Sequence, residues 1–230
     1  MLSRVLEPEV MDSAEEALDY DSMDHSQVNR LFVTDLLHLQ PNLQSLLDVG
    51  TGTGQIPIEL CSRLPSVQVI AIDMAEHMLR LGQENVDRAG FRDRILLKWC
   101  DAKRMPFAAQ NFDGVISNSI VHHVPEPFTV LVEMARVVKP GGLLFVRDLL
   151  RPSDEGELRQ IVQSYAGDAN AHQQKMFSDS LHAALTLEEI RALVSRLGFD
   201  PAAVTQTSDR HWTWASAGLT SAARRLGKDA

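Results

Sequence analysis

From Leu46 onward the chain alternates between two hydrophobic rhythms. Short apolar runs occur at Leu46-Leu47-Asp48-Val49, Val67 to Ile72 (ending in Asp73), Ile95 to Trp99, Phe112 to Ser117 and Leu143 to Val146. Between them lie stretches with helical spacing. One runs from Ile56 to Leu64. Another carries Ala75, Met78, Leu79, Val86 and Ala89 and stops at Gly90, and a third runs from Val130 to Val138 before Pro140-Gly141-Gly142. Strands apolar on both faces and alternating with helices predict a parallel sheet covered on both sides. The pattern is that of a doubly wound, Rossmann-like α/β fold.

The flanks are less regular. Residues 1–23 are acidic and weakly patterned, which predicts a mobile or loosely docked arm. Asp24 with Gln27 reads as a capping box opening a helix whose apolar face is Val28, Leu31, Phe32, Leu36 and Leu37. Residues 150–185 hold charged helical stretches with scattered aromatics and histidines. Thr186 with Glu189 starts a helix that ends at Gly198. Ala203 to Thr207 and His211 to Ala215 are separated only by Ser208-Asp209-Arg210, so they predict an antiparallel hairpin. The tail from Ala217 is basic and is expected to fray. Without repeats or low-complexity tracts, residues 1–230 read as one domain, with 150–185 a candidate lid.

Charge narrows the partners. With 22 basic and 31 acidic residues the net charge is −9, which argues against broad contact with nucleic acid phosphates. No run approaches the roughly 20 apolar residues of a membrane span, and the acidic start lacks a signal-peptide layout. The two cysteines, Cys61 and Cys100, read as buried free thiols, and a cytoplasmic location is expected.

Candidate chemistry centres on Asp48-Val49-Gly50-Thr51-Gly52-Thr53-Gly54 at a strand-to-helix turn. Glycines there allow a tight turn and let a ligand approach the backbone, although a merely tight turn would use them too. The spacing is Gly-x-Gly-x-Gly, where a dinucleotide fingerprint wants Gly-x-Gly-x-x-Gly. Asp48 would repel a pyrophosphate but suits a ligand bearing an ammonium and a sulfonium; a turn-stabilising role is its alternative. Asp73, ending the second strand, is placed to accept the hydrogen bonds of a ribose diol.

The segments LLDVGTGTGQIPIEL, VIAIDMAEHML, CDAKRMPFAAQNFDGVISNSIVHHV and EMARVVKPGGLLFV together resemble the class I S-adenosylmethionine-dependent methyltransferases, over about Leu46 to Val146. The resemblance implies a seven-stranded sheet, mostly parallel with an antiparallel last strand, and S-adenosylmethionine as cofactor. By the same resemblance, Gly50, Gly52 and Gly54 would line the methionine portion and Asp48 would face its ammonium. Asp73 would hold the ribose and Met74 would pack on the adenine. Asp101 would accept from the adenine amino group with the Ala102 N–H supporting the ring, and Asn118 would lie beside the reacting centre. An ordinary core methionine is the alternative for Met74, and a helix cap for Asp101.

The resemblance implies a methyl-transferring enzyme, and a small-molecule acceptor is expected. A non-catalytic cofactor-binding regulatory module, or an enzyme acting on protein or RNA, is the alternative. His122-His123 suggests a base or a metal, but neighbouring side chains diverge and no further ligands stand at metal-binding spacing, so no metal is expected. His123 reads as pocket-lining before catalytic. Tyr20 and His25 are placed to fold over the pocket from the arm. Tyr165, His172, Met176, Phe177 and His182 would together form the substrate wall of the lid, with Tyr165 and His172 as candidate catalytic groups; for each residue singly, packing within the lid is the alternative. Arg210-His211-Trp212 reads as strand packing and solvated charge.

Overall fold

A computed structural model of the chain describes residues 2–7, 13–23, 25–40 and 42–219. Its elements, in chain order, are α1 (Ala14–Ser22), α2 (Ser26–Leu39), β1 (Ser45–Val49), α3 (Gln55–Arg63), β2 (Gln68–Asp73), α4 (Glu76–Ala89), β3 (Ile95–Trp99) and β4 (Phe112–Asn118). There follow α5 (Pro127–Val137), β5 (Val138–Leu149), α6 (Glu155–Ala166), α7 (Ala171–Ala183), α8 (Leu187–Arg196), β6 (Val204–Gln206) and β7 (His211–Ala217).

The strands form one seven-stranded sheet in the order β3-β2-β1-β4-β5-β7-β6. Neighbours from β3 to β5 are parallel, and β7 is antiparallel to both β5 and β6. Successive strand side chains point to opposite faces, and the core divides accordingly. Leu47, Val115, Leu144 and Val146 pack in a layer with Val130, Leu131 and Met134 of α5 and Ile190 and Val194 of α8. Leu46, Ile116 and Phe145 pack on the other face with Phe32 and Leu36 of α2, Ile56 and Leu60 of α3 and Val86 of α4. The doubly wound fold and the β6–β7 hairpin expected from the pattern are both present.

The differences lie where tertiary pairing overrides local signals. Strand β5 begins at Val138 and runs to Leu149, instead of covering Leu143 to Val146. Its ends are extended by partners: Val138 pairs with Phe112 across an irregularity, and Leu149 pairs with His211. Pro140-Gly141-Gly142 therefore follows the end of α5 within the strand, where the Gly141 N–H donates to the Gly218 carbonyl at 2.8 Å. Helix α5 starts earlier than expected, with Pro127 in its first turn, where a missing N–H costs nothing. In α2 the buried face is Phe32, Val33 and Leu36, while Leu31 is exposed. Asp24 lies outside the described residues. The Thr186–Glu189 capping box forms as expected.

The described residues of the N-terminal arm are held by specific contacts. The Leu2 and Val5 N–H groups donate to the Ser153 and His182 carbonyls, each at 3.1 Å. The Arg4 guanidinium donates to the carbonyls of Ala183, His122 and Val124 at 2.7–3.1 Å. Helix α1 packs on α4, where Asp21 accepts hydrogen bonds from Gln55 and Asn85.

Candidate active site

In an open α/β sheet the crevice for ligands lies beyond the carboxyl ends of the strands where the strand order reverses. Here that point is β1, between β2 and β4. A cleft opens there, with one wall of Gly50, Gly52, Asp73, Met74, Asp101 and Ala102 and a second of Tyr20, Asn118, Ser119, Ile120 and His123.

The first wall is shaped by the main chain. The Gly50 and Thr51 N–H groups donate to the Ile72 carbonyl at 2.8 and 3.0 Å. Gly50 has a φ of +75°, and a Cβ there would stand 1.9 Å from Ile120 Cγ2. No other residue fits without moving Ile120. Asp73 accepts from the Gly52 N–H through Oδ2 at 2.8 Å and from the Ala75 N–H through Oδ1 at 2.9 Å. Each carboxylate oxygen keeps a second lone pair for a ligand. Burial raises the Asp73 pKa, against the pull of those backbone N–H groups.

Asp101 accepts from the Lys103 N–H at 2.8 Å and lies 3.3 Å from the Lys103 ammonium. It thus shapes its own turn as well as lining the cleft. Met74 is half-buried on the cleft lining, and its carbonyl accepts from the Trp99 indole at 2.9 Å. Both cysteines are free, and Cys100 contributes to the lining.

Two of the expected cofactor-binding residues are not on the lining. Gly54 turns toward α4, where a Cβ would meet Val86 and Gly82. Asp48 is buried behind the glycine turn, and its Oδ2 has no hydrogen-bond partner among the described residues. Burial pushes its carboxyl up to about 7, with the Thr51 side chain opposing and the Asp73 charge adding to the rise. Asn118 Oδ1 is likewise buried and unpartnered, in a residue that lines the cleft. Unsatisfied buried oxygens beside a cleft are acceptors for a donor the protein itself does not supply.

The opposite wall comes from distant parts of the chain. Tyr20 of α1 stacks on His25 with ring centroids 4.6 Å apart. Burial, with the charges of Asp73, Asp48 and Asp21, pushes its phenol up to about 12, so it enters the cleft as a neutral hydroxyl. Residues Val121–His123 form a 3₁₀ turn. His123 lines the cleft and lies, through Nδ1, 3.0 Å from Glu7 Oε1. His122 is buried behind it, with Nδ1 2.5 Å from Asp148 Oδ1. Burial alone would lower the His122 pKa, but Asp148 and Glu7 outweigh it and hold it above its ordinary value. Glu7 and Asp148 were not singled out in the sequence, because no local spacing connects them to the histidines.

The segment 150–185 does not reach the cleft lining, although its second helix packs against the Val121–His123 turn. It forms the α6–α7 pair, whose Leu158, Ile161 and Leu181 pack with Leu149 at the end of β5 and with Phe177 and Leu2. The Tyr165 hydroxyl donates to Asp209 at 2.8 Å, and Arg210 covers its ring. His172 is exposed at the start of α7. None of these residues lines the cleft. Trp212 is fully buried in the core, as strand packing required.

Residues 47–146 match the family model of the methyltransferase domain. The chain is 29% identical over 175 residues to 27-O-demethylrifamycin SV methyltransferase of Amycolatopsis mediterranei, covering 74% of this chain and 60% of that protein. It is 34% identical over 113 residues to demethylmenaquinone methyltransferase of Desulfitobacterium hafniense, covering 49% and 45% respectively. The chain thus spans about half the length of these curated relatives. A solved structure from Methanococcus maripaludis, assigned to the S-adenosyl-L-methionine-dependent methyltransferases, superposes with a TM-score of 0.72 at 16% identity. It covers 96% of this chain and 98% of that one. The fold and the family model agree. Residues 47–146 thus carry the methyltransferase domain of that family model, and the chain is similar there to the class I S-adenosylmethionine-dependent methyltransferases.

Proposed function

We propose that the protein binds S-adenosylmethionine in this cleft and transfers its methyl group to a small-molecule acceptor. The observation that carries the reading is the pairing of Asp73 with the glycine turn. A carboxylate with spare lone pairs is fixed beside a backbone stripped of side chains, which suits a ribose diol and the chain that extends from it. Gly50 and Gly52 admit the methionine portion, and Gly54 shapes the same turn from behind. The orphaned oxygens of Asp48 and Asn118 take its ammonium, directly or through water. Met74 packs on the adenine, and Asp101 with the Ala102 N–H reads its edge.

The bound cofactor supplies a methyl group already activated on a sulfonium, so the chain's own residues mainly align the acceptor and exclude water. Ile120, His123 and Tyr20 are the acceptor-facing wall, with His123 pocket-lining rather than catalytic. A net charge of −9 supports a small acceptor over nucleic acid. Among the described residues no helix is long and apolar enough to cross a membrane.

The test has two arms. S-adenosylhomocysteine should raise the thermal midpoint while NAD and NADP leave it unchanged, since a native-state ligand stabilises the fold. Methyl-labelled cofactor incubated with the protein and a cell metabolite extract should then yield a labelled small molecule. Stabilisation by S-adenosylhomocysteine without any labelled product would favour a regulatory module. Stabilisation by NAD alone would overturn the reading.

A further inference from the structure

We propose that Glu7, His122 and His123 form a binding site for one divalent transition-metal ion of the zinc type. Glu7 Oε1, His122 Nε2 and His123 Nδ1 all lie within 4.8 Å of one another. Two edges of that triangle are 3.0 Å, from Glu7 to His123, and 3.5 Å, from Glu7 to His122. Four ligands at roughly 2.0–2.2 Å from a tetrahedral ion stand about 3.3–3.6 Å apart, so these donors already have nearly the required spread.

Adjacent histidines ordinarily point apart. The tight turn of Val121–His123 instead brings the two rings to 4.1 Å between centroids, inclined by 35°. The third donor comes from the far end of the chain, on the segment that Arg4 fastens to the carbonyls of His122 and Val124. Arg4 is the opposing charge nearby, and those backbone contacts direct its guanidinium at carbonyls.

Asp148 adds a second, independent feature. Its Oδ1 lies 2.5 Å from His122 Nδ1, and its Oδ2 accepts from the Val121 N–H at 2.5 Å. A carboxylate that accepts a hydrogen bond from the Nδ1–H leaves Nε2 with its lone pair directed at the ion, the arrangement that orients metal-bound histidines generally. Imidazole and carboxylate donors suit zinc rather than calcium or magnesium. The burial is graded: His122 is 3% exposed, Glu7 11% and His123 18%. His123, the most exposed of the three, also lines the cleft. The ion clamps the N-terminal segment onto the turn that forms the acceptor wall. This site does not depend on the cofactor reading, and its test measures metal rather than turnover.

The full chain, without an affinity tag and stripped with a chelator, is titrated with Zn²⁺ by calorimetry, and with Co²⁺ by visible absorption. One equivalent of Zn²⁺ should bind with a micromolar or tighter constant, and Co²⁺ should develop the intense bands of a four- or five-coordinate centre. Glu7→Gln and His123→Gln should each weaken binding at least tenfold, and Asp148→Asn by roughly tenfold through His122. Zinc should raise the thermal midpoint of the parent chain more than that of Glu7→Gln. Failure of the parent chain to bind Zn²⁺, a Co²⁺ spectrum that stays that of the hydrated ion, or binding indifferent to Glu7→Gln would each overturn the site. The first two outcomes need no variant to fold.

Discussion

The two walls of the cleft are built on different plans. The wall of Gly50, Gly52, Asp73, Met74, Asp101 and Ala102 comes from consecutive loops at the ends of β1, β2 and β3. Hydrogen bonds lock these loops to one another: the Gly50 and Thr51 N–H groups to the Ile72 carbonyl, the Gly52 N–H to the Asp73 carboxylate, and the Cys100 N–H to the Asp73 carbonyl at 2.9 Å. The facing wall draws Tyr20 from α1, Ile120 and His123 from the turn after β4, and support for that turn from Arg4 and Glu7. A wall set by the sheet is pre-organised for one constant ligand. A wall assembled from sequence-distant pieces depends on the tertiary fold for its shape.

The most severe way to break this comparison is to make the walls collide. Gly50→Ala forces a Cβ to 1.9 Å from Ile120 Cγ2 at a positive φ. Overpacking with left-handed backbone strain should cost about 2–4 kcal/mol of stability. Denaturant unfolding measures that loss, and calorimetry should find S-adenosylhomocysteine binding abolished. Adding Ile120→Ala should recover part of the stability but not the strain. Full stability in the single variant would mean that the walls do not touch.

Next in size is Asp73→Ala, which attacks the first wall alone. Losing a carboxylate that serves a ribose diol should weaken S-adenosylhomocysteine by roughly 1–3 kcal/mol. Some stability will go too, because the Gly52 and Ala75 N–H groups lose their acceptor. An unchanged dissociation constant in a folded variant would remove Asp73 from the ribose role.

A gentler probe is pH. The Asp48 carboxyl is pushed up to about 7, so it is protonated in the ligand-free protein at pH 5.5. A ligand ammonium favours the ionised form, so binding should release a proton. Affinity should then rise roughly tenfold from pH 5.5 to 7.5. Stability of the ligand-free chain should run the other way. Between about 4 and 7 the native state keeps a proton that the unfolded chain has lost, so stability falls as pH rises through that window. Asp48→Asn should flatten both dependences, and a pH-independent affinity in the parent chain would disconnect Asp48 from the ligand.

The same contrast explains what could be read from the sequence. The strands from β1 to β4 are each short apolar runs bounded by turn residues, so their signal is local and the sheet follows. The glycine turn and Asp73 are equally local, since both sit at strand ends within one βαβ unit. The second wall has no such signature. Ile120 matters because Gly50 lacks a Cβ, and His122 and His123 meet Glu7 and Asp148 only through the fold. The length of β5 was hidden for a related reason: Phe112 and His211 extend it by pairing, although Pro140-Gly141-Gly142 reads as a break. Segment 150–185 was misleading in a third way. Its aromatics have the composition of a substrate wall, yet composition does not say which way a helix faces.

That last point sets the smallest effect. Tyr165 is 49% exposed, and its hydroxyl is held by Asp209 while Arg210 covers the ring. The contact pins α6 to the β6–β7 turn, on the far side of β5 from the cleft-lining loops of β1 to β3. Tyr165→Phe removes one hydrogen bond at the surface, where water readily replaces it. Stability should fall by about 0.5 kcal/mol. Cofactor affinity and the apparent acceptor constant should stay within experimental error, because no residue of 150–185 lines the cleft. Thermal denaturation beside steady-state kinetics separates the two readouts. A raised acceptor constant with unchanged stability would mean that α6 swings over the cleft during turnover, making the segment a lid after all. Amide exchange across Glu155–Ala166, measured with and without S-adenosylhomocysteine, would then show protection appearing with ligand.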